Sequence, residues 1–169
     1  MLFRSPAPWV RNFRAQTESP TQAFTDAEVA HILDLPNRAT SSGLMHSVML
    51  HLLFYLGLRR GELVALRARH IGWDRMGGEN GDRSVMTIRV PGKGDKERVL
   101  PLPAKTQLVL ERYLDRKGLR VGEGDEFLFS PVRNNITKTK NRPIDGQSVY
   151  YVVTKYARLA GVEIGRAHV

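Results

Sequence analysis

A single lysine stands between two glycines in the stretch VPGKGDKERVLPLP, residues 90–103. Because glycine has no side chain, Gly92 and Gly94 would let a bulky partner approach the backbone on either side of Lys93. A lysine in that position could donate a proton to an alkoxide leaving a phosphodiester. Taken alone, the same pattern is more often a solvated lysine at a turn.

Two further residues could act on a phosphate. Arg59 lies in LGLRRGELVAL, between the end of one apolar segment and the start of the next. A guanidinium beside the free amides of a helix start can hold a phosphate through forked hydrogen bonds. The simpler alternative is an arginine that caps the helix or pairs with Glu62. His168 is the third candidate, although a histidine one residue from the end of a sequence ordinarily has no role.

Other chemistries fit the sequence poorly. A nucleotide-binding P-loop needs glycine where Thr87 stands and Ser or Thr where Gly94 stands. His46 and His51 do not have the spacing of an HExxH zinc site. The carboxylates of GEGDEF, residues 122–127, favour a solvated turn over a divalent metal site.

The composition indicates a polyanionic partner. The 169 residues carry 26 lysines and arginines against 17 acids, a formal net charge of +9. There is no cysteine, hence no disulfide, thiolate zinc site or thiol nucleophile, which fits a cytoplasmic chain. No apolar run approaches the roughly 20 residues that a membrane-spanning helix needs, so membrane insertion is not expected.

Sequence signals for helix starts and ends predict that Arg59 lies between two helices. Thr25 and Glu28 have capping-box spacing, which predicts a helix over residues 26–33. A buried helix is predicted by apolar residues at i, i+3, i+4 and i+7, and Gly57 can end it. These apolar residues are Met49, Leu52, Leu53 and Leu56. A further helix begins near Gly61.

The pattern then changes to period two, which positions Lys93. Residues 85–90 and 99–102 predict a β-hairpin whose turn is GKGDKE, with Met86, Ile88 and Val90 on one face. A helix over 104–117 follows, and the apolar run EFLFS, residues 126–130, predicts a third strand or an edge segment.

The remaining segments complete the organisation of the chain. Residues 131–142 form a basic loop, and the last helix is capped by Asp145 and stops at Gly161. The expected fold is α+β and mainly helical, with a small antiparallel hairpin or three-stranded sheet. Residues 1–22 are expected to be a linker or arm, and 23–169 the domain.

Taken in order, these segments resemble the catalytic domain of the tyrosine recombinases, the phage integrase family. The resemblance rests on AFTDAEVAHIL, YLGLRRGELVALRARHIGWD, IRVPGKGDKERVLPL and YARLAGVEIGRAHV, and it covers residues 23–169. The middle and hairpin motifs are the specific ones, because their spacing, glycines and flanking apolar residues all agree.

The resemblance implies a DNA strand transferase that needs neither metal nor ATP. In that family a tyrosine attacks a DNA phosphate, forms a 3′-phosphotyrosyl link and frees a 5′ hydroxyl. Arg59 matches the first phosphate-clamping arginine, and Glu62 the acidic residue that supports it. Lys93 matches the general acid on the hairpin, and His168 the first residue of the HxxR motif.

The sequence departs from the family at its end. Only Val169 follows His168, so the second arginine and the nucleophilic tyrosine of the family pattern are not among these residues. Tyr150, Tyr151 and Tyr156 precede His168 on a predicted core helix and are poor substitutes. We therefore expect a truncated catalytic domain, without the family's N-terminal DNA-clamping domain, that binds DNA but does not cleave it alone.

The expected partners are double-stranded DNA and other recombinase protomers, which form a tetramer in the complete protein. Five basic residues are predicted to hold neighbouring phosphates without reading bases: Lys96, Arg133, Lys138, Lys140 and Arg142. The expected localisation is the cytoplasm, as a bacterial or phage-encoded protein associated with the nucleoid. The alternative is a non-catalytic DNA-binding accessory module or the remnant of a mobile element. RNA binding is less favoured, because no aromatic-rich strand offers base stacking.

Overall fold

The computed structural model describes residues 24–77, 83–91, 97–131 and 141–162. Within these ranges the helices are α1 Asp26–Asp34, α2 Ser41–Leu56, α3 Arg60–Ala65, α4 Ala104–Lys117 and α5 Gly146–Leu159. The strands are β1 Ile71–Met76, β2 Arg83–Pro91 and β3 Glu97–Pro101, and a short 3-10 turn, Ala68–His70, precedes β1. The predicted α+β, mainly helical fold is confirmed.

Helix α2 forms the centre of the described fold. Its buried side chains lie on more than one face, as expected for a helix that other elements surround. Helices α1, α3, α4 and α5 all contact it. Every candidate site that follows is therefore built on, or next to, this one helix.

Local signals fix the ends of these helices, as predicted. The Glu28 carboxylate accepts a hydrogen bond from the Thr25 backbone amide (2.7 Å), and the Glu28 amide donates to Thr25 Oγ1 (3.3 Å), which completes the capping box. Gly57 ends α2 in the left-handed region at φ 59°, and its amide donates to the Leu53 carbonyl. Asp145 caps α5 through a bond from the Gln147 amide (3.2 Å).

The sheet is antiparallel with the order β1, β2, β3. Both strands of the predicted hairpin are present, with Ile88 opposite Leu100 and Val90 opposite Arg98. Met86, Ile88 and Val90 form the buried face that the period-two pattern predicts. The turn between the strands, with Lys93 and Lys96, lies outside the described residues.

The third strand is not the EFLFS run. It is β1, which pairs with β2 and is joined to it by a hydrogen bond from Thr87 Oγ1 to Asp74 Oδ2 (3.0 Å). The EFLFS segment makes only an isolated bridge between Phe127 and Arg67. Two of its carbonyl groups are satisfied by a side chain, because Lys117 Nζ donates to the carbonyls of residues 127 and 128 (both 2.7 Å). The carbonyls of Glu126 and Phe129 accept from the backbone amides of Ala68 (3.0 Å) and Ile144 (3.1 Å).

Among the described helices, none has the length and apolar character that crossing a membrane would demand.

Gly57 and Gly61 offer a matched test of the left-handed turn that precedes Arg59. A Cβ atom would meet nothing within 4 Å at either glycine, and only Gly57 has a positive φ. We expect Gly57→Ala to lower the free energy of unfolding by about 1 to 2 kcal/mol, the cost of a left-handed conformation for an L-residue. Urea denaturation measures the change.

The control is Gly61→Ala, which replaces a helical glycine in α3 and should raise the free energy of unfolding by up to about 1 kcal/mol. Equal effects of the two substitutions would show that the left-handed conformation at Gly57 is not what shapes this turn.

Candidate nucleic-acid interface

Arg59 stands at the junction between α2 and α3, two residues after Gly57. It is the residue that precedes the first turn of α3, with extended backbone at φ −68° and ψ 150°. Its side chain is 81% exposed. The guanidinium therefore projects from the junction between the two helices, and it is open to a partner in solution.

The Glu62 carboxylate collects three hydrogen bonds at this junction. Its Oε2 accepts from the Arg59 backbone amide (2.7 Å) and from Arg98 Nη2 (2.6 Å). Its Oε1 accepts from Arg59 Nη1 (3.1 Å). The arginine of one helix start and an arginine of strand β3 thus lie on either side of one carboxylate, and we call this group the Arg59–Glu62–Arg98 cluster.

The charge of this cluster is set by the state of Glu62. Burial of its side chain, which is only 16% exposed, opposes ionisation. The hydrogen bonds from Arg59 and the charges of Arg98 and Arg59 outweigh this effect, so the pKa of Glu62 lies below its ordinary value of 4.5. At neutral pH the cluster therefore carries two positive charges and one negative charge.

The cluster retains donors for an anion. Each guanidinium has five N–H groups, and each of these two spends one on Glu62. Planar guanidinium groups match the geometry of phosphate oxygens with paired hydrogen bonds. The pairing with Glu62 that was the simpler alternative for Arg59 is thus present, and it leaves most of the guanidinium accessible.

Helix α5 begins beside this cluster. Its first residue, Gly146, lies against Arg60, and a Cβ atom placed on it would come 3.4 Å from Arg60 Nε. The preceding chain brings in Arg142, which is exposed and lines a groove of about 490 Å³ between α2 and α5. Lys155 of α5 lines the same groove, so basic side chains continue the surface beyond α3.

Among the predicted site residues, Arg59, Glu62 and Arg142 lie in the described part of the chain, and Arg59 and Glu62 are in direct contact. The other predicted residues lie outside it: Lys93, Lys96, Arg133, Lys138, Lys140 and His168. Their roles stay predictions.

The tyrosines of α5 differ in accessibility. Tyr156 is buried, its hydroxyl lies 3.2 Å from His46 Nδ1, and burial raises its pKa. A phenol held in this way cannot reach a DNA phosphate. Tyr150 and Tyr151 are exposed, and Tyr151 lines the groove with Arg142.

The acidic turn GEGDEF, residues 122–127, is held by two arginines that precede strand β1. Asp125 forms ion pairs with Arg67 (2.6 Å) and with Arg69, and the Arg67 guanidinium also lies 3.9 Å from the centre of the Phe127 ring. Within the described ranges, no three acidic or histidine side chains are grouped as metal ligands. Asp125 therefore fastens the turn to the start of the sheet.

The sequence reasoning missed Arg98. The hairpin register pairs it with Val90, and cross-strand partners project to the same face of a sheet. Val90 belongs to the buried face, whereas the Arg98 side chain is 44% exposed, so burial alone does not require a carboxylate beside it. The hairpin pattern therefore places Arg98 opposite Val90 but gives no signal that Glu62 is its partner.

The pH dependence of stability tests the Glu62 pairing. Because the pKa of Glu62 is lowered on folding, its contribution is present above its unfolded pKa and is lost as pH falls through the folded value. We expect Glu62→Gln to lower the free energy of unfolding by about 1 kcal/mol at pH 7. The difference from the parent protein should shrink below about pH 4.5.

Urea denaturation at a series of pH values from about 3 to 7, which includes the range where carboxylates titrate, measures the free energy of unfolding. The control is Glu123→Gln, whose only ion pair in the described chain is an exposed contact with Arg120 at 3.8 Å. An effect of Glu62→Gln that stays constant with pH would contradict the pairing.

Comparisons with known proteins identify the family and the fold of this chain. The model of the family described as "Phage integrase family" matches residues 22–169. The chain is 33% identical over 150 residues to the tyrosine recombinase XerD of Xanthomonas campestris pv. campestris, covering 84% of this chain and 41% of that protein. It is 37% identical over 134 residues to the tyrosine recombinase XerC of Myxococcus xanthus, covering 76% and 41% respectively.

The chain thus spans 41% of the length of each of these curated relatives. Solved structures share its fold at lower identity. The XerH site-specific recombinase bound to difH substrate, in a pre-cleavage complex, aligns over 85% of this chain and 38% of its own, with a TM-score of 0.63 and 19% identity. The XerA recombinase aligns over 83% and 42%, with a TM-score of 0.57 and 19% identity. Because the family model matches residues 22–169, which include every described residue, the chain belongs to the phage integrase family of tyrosine recombinases.

Proposed function

We propose that this chain is the phosphate-binding part of a DNA strand-transferase active site. The observation that supports the proposal is the Arg59–Glu62–Arg98 cluster, in which two guanidinium groups share one carboxylate. Two positive charges and one negative charge leave a net charge of +1. A phosphodiester carries one negative charge, so its arrival would balance the cluster.

In this proposal Arg59 and Arg98 grip the non-bridging oxygens of one DNA phosphate. Forked hydrogen bonds from guanidinium groups are strong and directional, and they strengthen as negative charge grows on the pentacoordinate phosphorus. Glu62 does not touch the DNA. It is a positioning residue that holds both arginines in place before the substrate arrives, which reduces the reorganisation that the reaction must supply.

The turn that carries Lys93 follows β2 and precedes β3, and Arg98 is the second residue of β3. The resemblance to the family makes Lys93 the proton donor to the leaving 5′ oxygen, and the short connection between the two residues supports that role. His168 would join the same phosphate as a further donor.

The remaining contacts are proposed to be with neighbouring phosphates. Arg142 and Lys155 line the groove beside α5, and the basic residues predicted around them would extend the contact: Lys96, Arg133, Lys138 and Lys140. Such contacts set the position of the protein on the duplex and carry no base sequence. The proposed partner of these contacts is double-stranded DNA.

We further propose that these 169 residues, residues 23–169 as the domain and 1–22 as a linker, bind DNA without cleaving it on their own. All five tyrosines precede His168, whereas the family pattern has its nucleophile after the HxxR motif. Tyr156 is also excluded as the nucleophile, because it is buried against His46. In the complete reaction, a tyrosine would form the 3′-phosphotyrosyl link within a tetramer of recombinase protomers.

Salt dependence and a matched pair of variants test the binding surface. Arg59 and Arg120 are 81% and 83% exposed, and each pairs with a glutamate three residues away. We expect Arg59→Ala to weaken binding to a duplex about tenfold and to reduce the slope of log affinity against log salt by about one. The measurement is fluorescence anisotropy over a series of salt concentrations.

Arg120→Ala removes the same charge from a comparably exposed position and should change the affinity by less than about twofold. Equal losses in the two variants would mean that only net charge matters, and an affinity independent of salt would reject DNA phosphates as the ligand.

A nicked duplex that traps covalent intermediates tests whether these 169 residues bind DNA without cleaving it. We expect these 169 residues to form no covalent protein–DNA adduct on this substrate, because no tyrosine matches the nucleophile of the family, while they still shift its mobility. Denaturing gels detect the adduct. An adduct that disappears in Tyr151→Phe, whose side chain is exposed in the groove beside Arg142, would contradict the proposal.

A further inference from the structure

A second cavity lies between α1, α2 and α4. Its volume is about 360 Å³, which is within the range of small-molecule sites. Apolar side chains form part of its lining: Ala30 and Leu33 from α1, and Leu108 and Val109 from α4. None of the residues of the Arg59–Glu62–Arg98 cluster lines it, so it is a separate site from the one proposed for DNA.

His51 lines this cavity, and one of its ring nitrogens has no hydrogen-bond partner among the described residues. Its side chain is buried, with 3% of the residue exposed, and its Nδ1 lies 3.3 Å from Thr106 Oγ1. Its Nε2 is buried and has no hydrogen-bond partner in the described part of the chain. A buried polar atom of this kind calls for a partner, because its lost contact with water is otherwise uncompensated.

The imidazole is neutral at physiological pH. Burial, followed by the positive charges of Arg38 and Lys105, lowers the pKa of His51 to about 4 against an opposite effect of Asp34. When the Thr106 hydroxyl donates to Nδ1, Nε2 carries the proton and is a donor. The cavity lining holds three cations, Arg38, Lys105 and Arg112, against the one carboxylate of Asp34, and this balance favours an anionic ligand.

Two cations at the cavity are available for such a ligand. Lys105 and Arg112 lie seven residues apart on α4 and so share one face of the helix. Neither forms an ion pair within residues 24–77, 83–91, 97–131 and 141–162. Arg38 differs, because Asp34 (3.6 Å) and Ser47 Oγ (3.1 Å) already hold its guanidinium.

The rest of the lining suits an aromatic group. The Tyr55 ring, which is partly exposed, lies 5.6 Å from the His51 ring between centres and forms one wall. Leu108 and Val109 form apolar surface between the two cations on α4. A ligand with a charged end and a flat apolar body would thus satisfy both kinds of surface at once.

We propose that this cavity binds a small aromatic anion, a carboxylate or a phosphate monoester. Its charged group lies by Lys105 and Arg112, and its ring packs on Tyr55 and Leu108. Because His51 Nε2 is buried, a rotation of the His51 ring is needed to bring this nitrogen within hydrogen-bond reach of the ligand. Such a ligand bridges α1, α2 and α4 and would stabilise the fold through binding to the native state alone.

The test is a titration of the 169-residue chain, labelled with ¹⁵N-histidine, with benzoate and with phenyl phosphate. We expect a saturable shift of the His51 Nε2 signal with a Kd on the order of 1 mM or below for at least one of the two anions. The neutral analogue benzamide should not saturate. Which anion binds more tightly assigns the charged group as carboxylate or phosphate.

Three variants make the test specific. Lys105→Gln combined with Arg112→Gln, both at the rim, should weaken binding about tenfold or more, whereas Arg120→Gln should leave it unchanged. Arg59→Ala should also leave it unchanged, which distinguishes this site from the proposed DNA site. Absence of saturation up to about 10 mM, equal binding by the double variant, or loss of binding in Arg59→Ala would each overturn the proposal.

Discussion

One carboxylate holds two like charges together. The Glu62 side chain accepts from the backbone and guanidinium of Arg59 and from Arg98, and without it the two arginines would repel each other at the edge of a partly buried site. The same contact ties the start of α3 to strand β3. The proposed activity depends on this tie, because a phosphate can be gripped from two sides only if helix and sheet are fixed relative to each other.

Helix α2 is the common support of both proposed sites. Arg59 follows its C-terminal end after the left-handed turn at Gly57, while His51 and Tyr55 line the cavity against α1 and α4. His46, on the same helix, contacts the hydroxyl of Tyr156 of α5 through its Nδ1. A helix that is buried on several faces can present different chemistry to each of its neighbours, and its rigidity keeps those sites apart.

Much of the helical framework was predictable because its signals are local. The capping box at Thr25 and the glycine at position 57 each act within one turn of chain, and both were predicted correctly. Strand β1 was missed because its pairing with β2 is set by tertiary contacts, including the bond from Thr87 to Asp74. Arg98 was not predicted for a related reason, because its role depends on a carboxylate 36 residues away in sequence. Of the two alternatives for the EFLFS run, a third strand or an edge segment, the strand was wrong: the run makes an isolated bridge to Arg67, and Lys117 bonds two carbonyls that a sheet would otherwise bond.

The most direct test of the phosphate clamp is a double-mutant cycle on DNA affinity with Arg59→Ala and Arg98→Ala. If both arginines hold one phosphate, removing either leaves Glu62 to neutralise the other, and the second removal adds little. The combined loss should then fall short of the sum of the single losses by about 1 kcal/mol or more. Additive losses would show that the two residues meet DNA independently, or not at all, and would contradict the shared clamp.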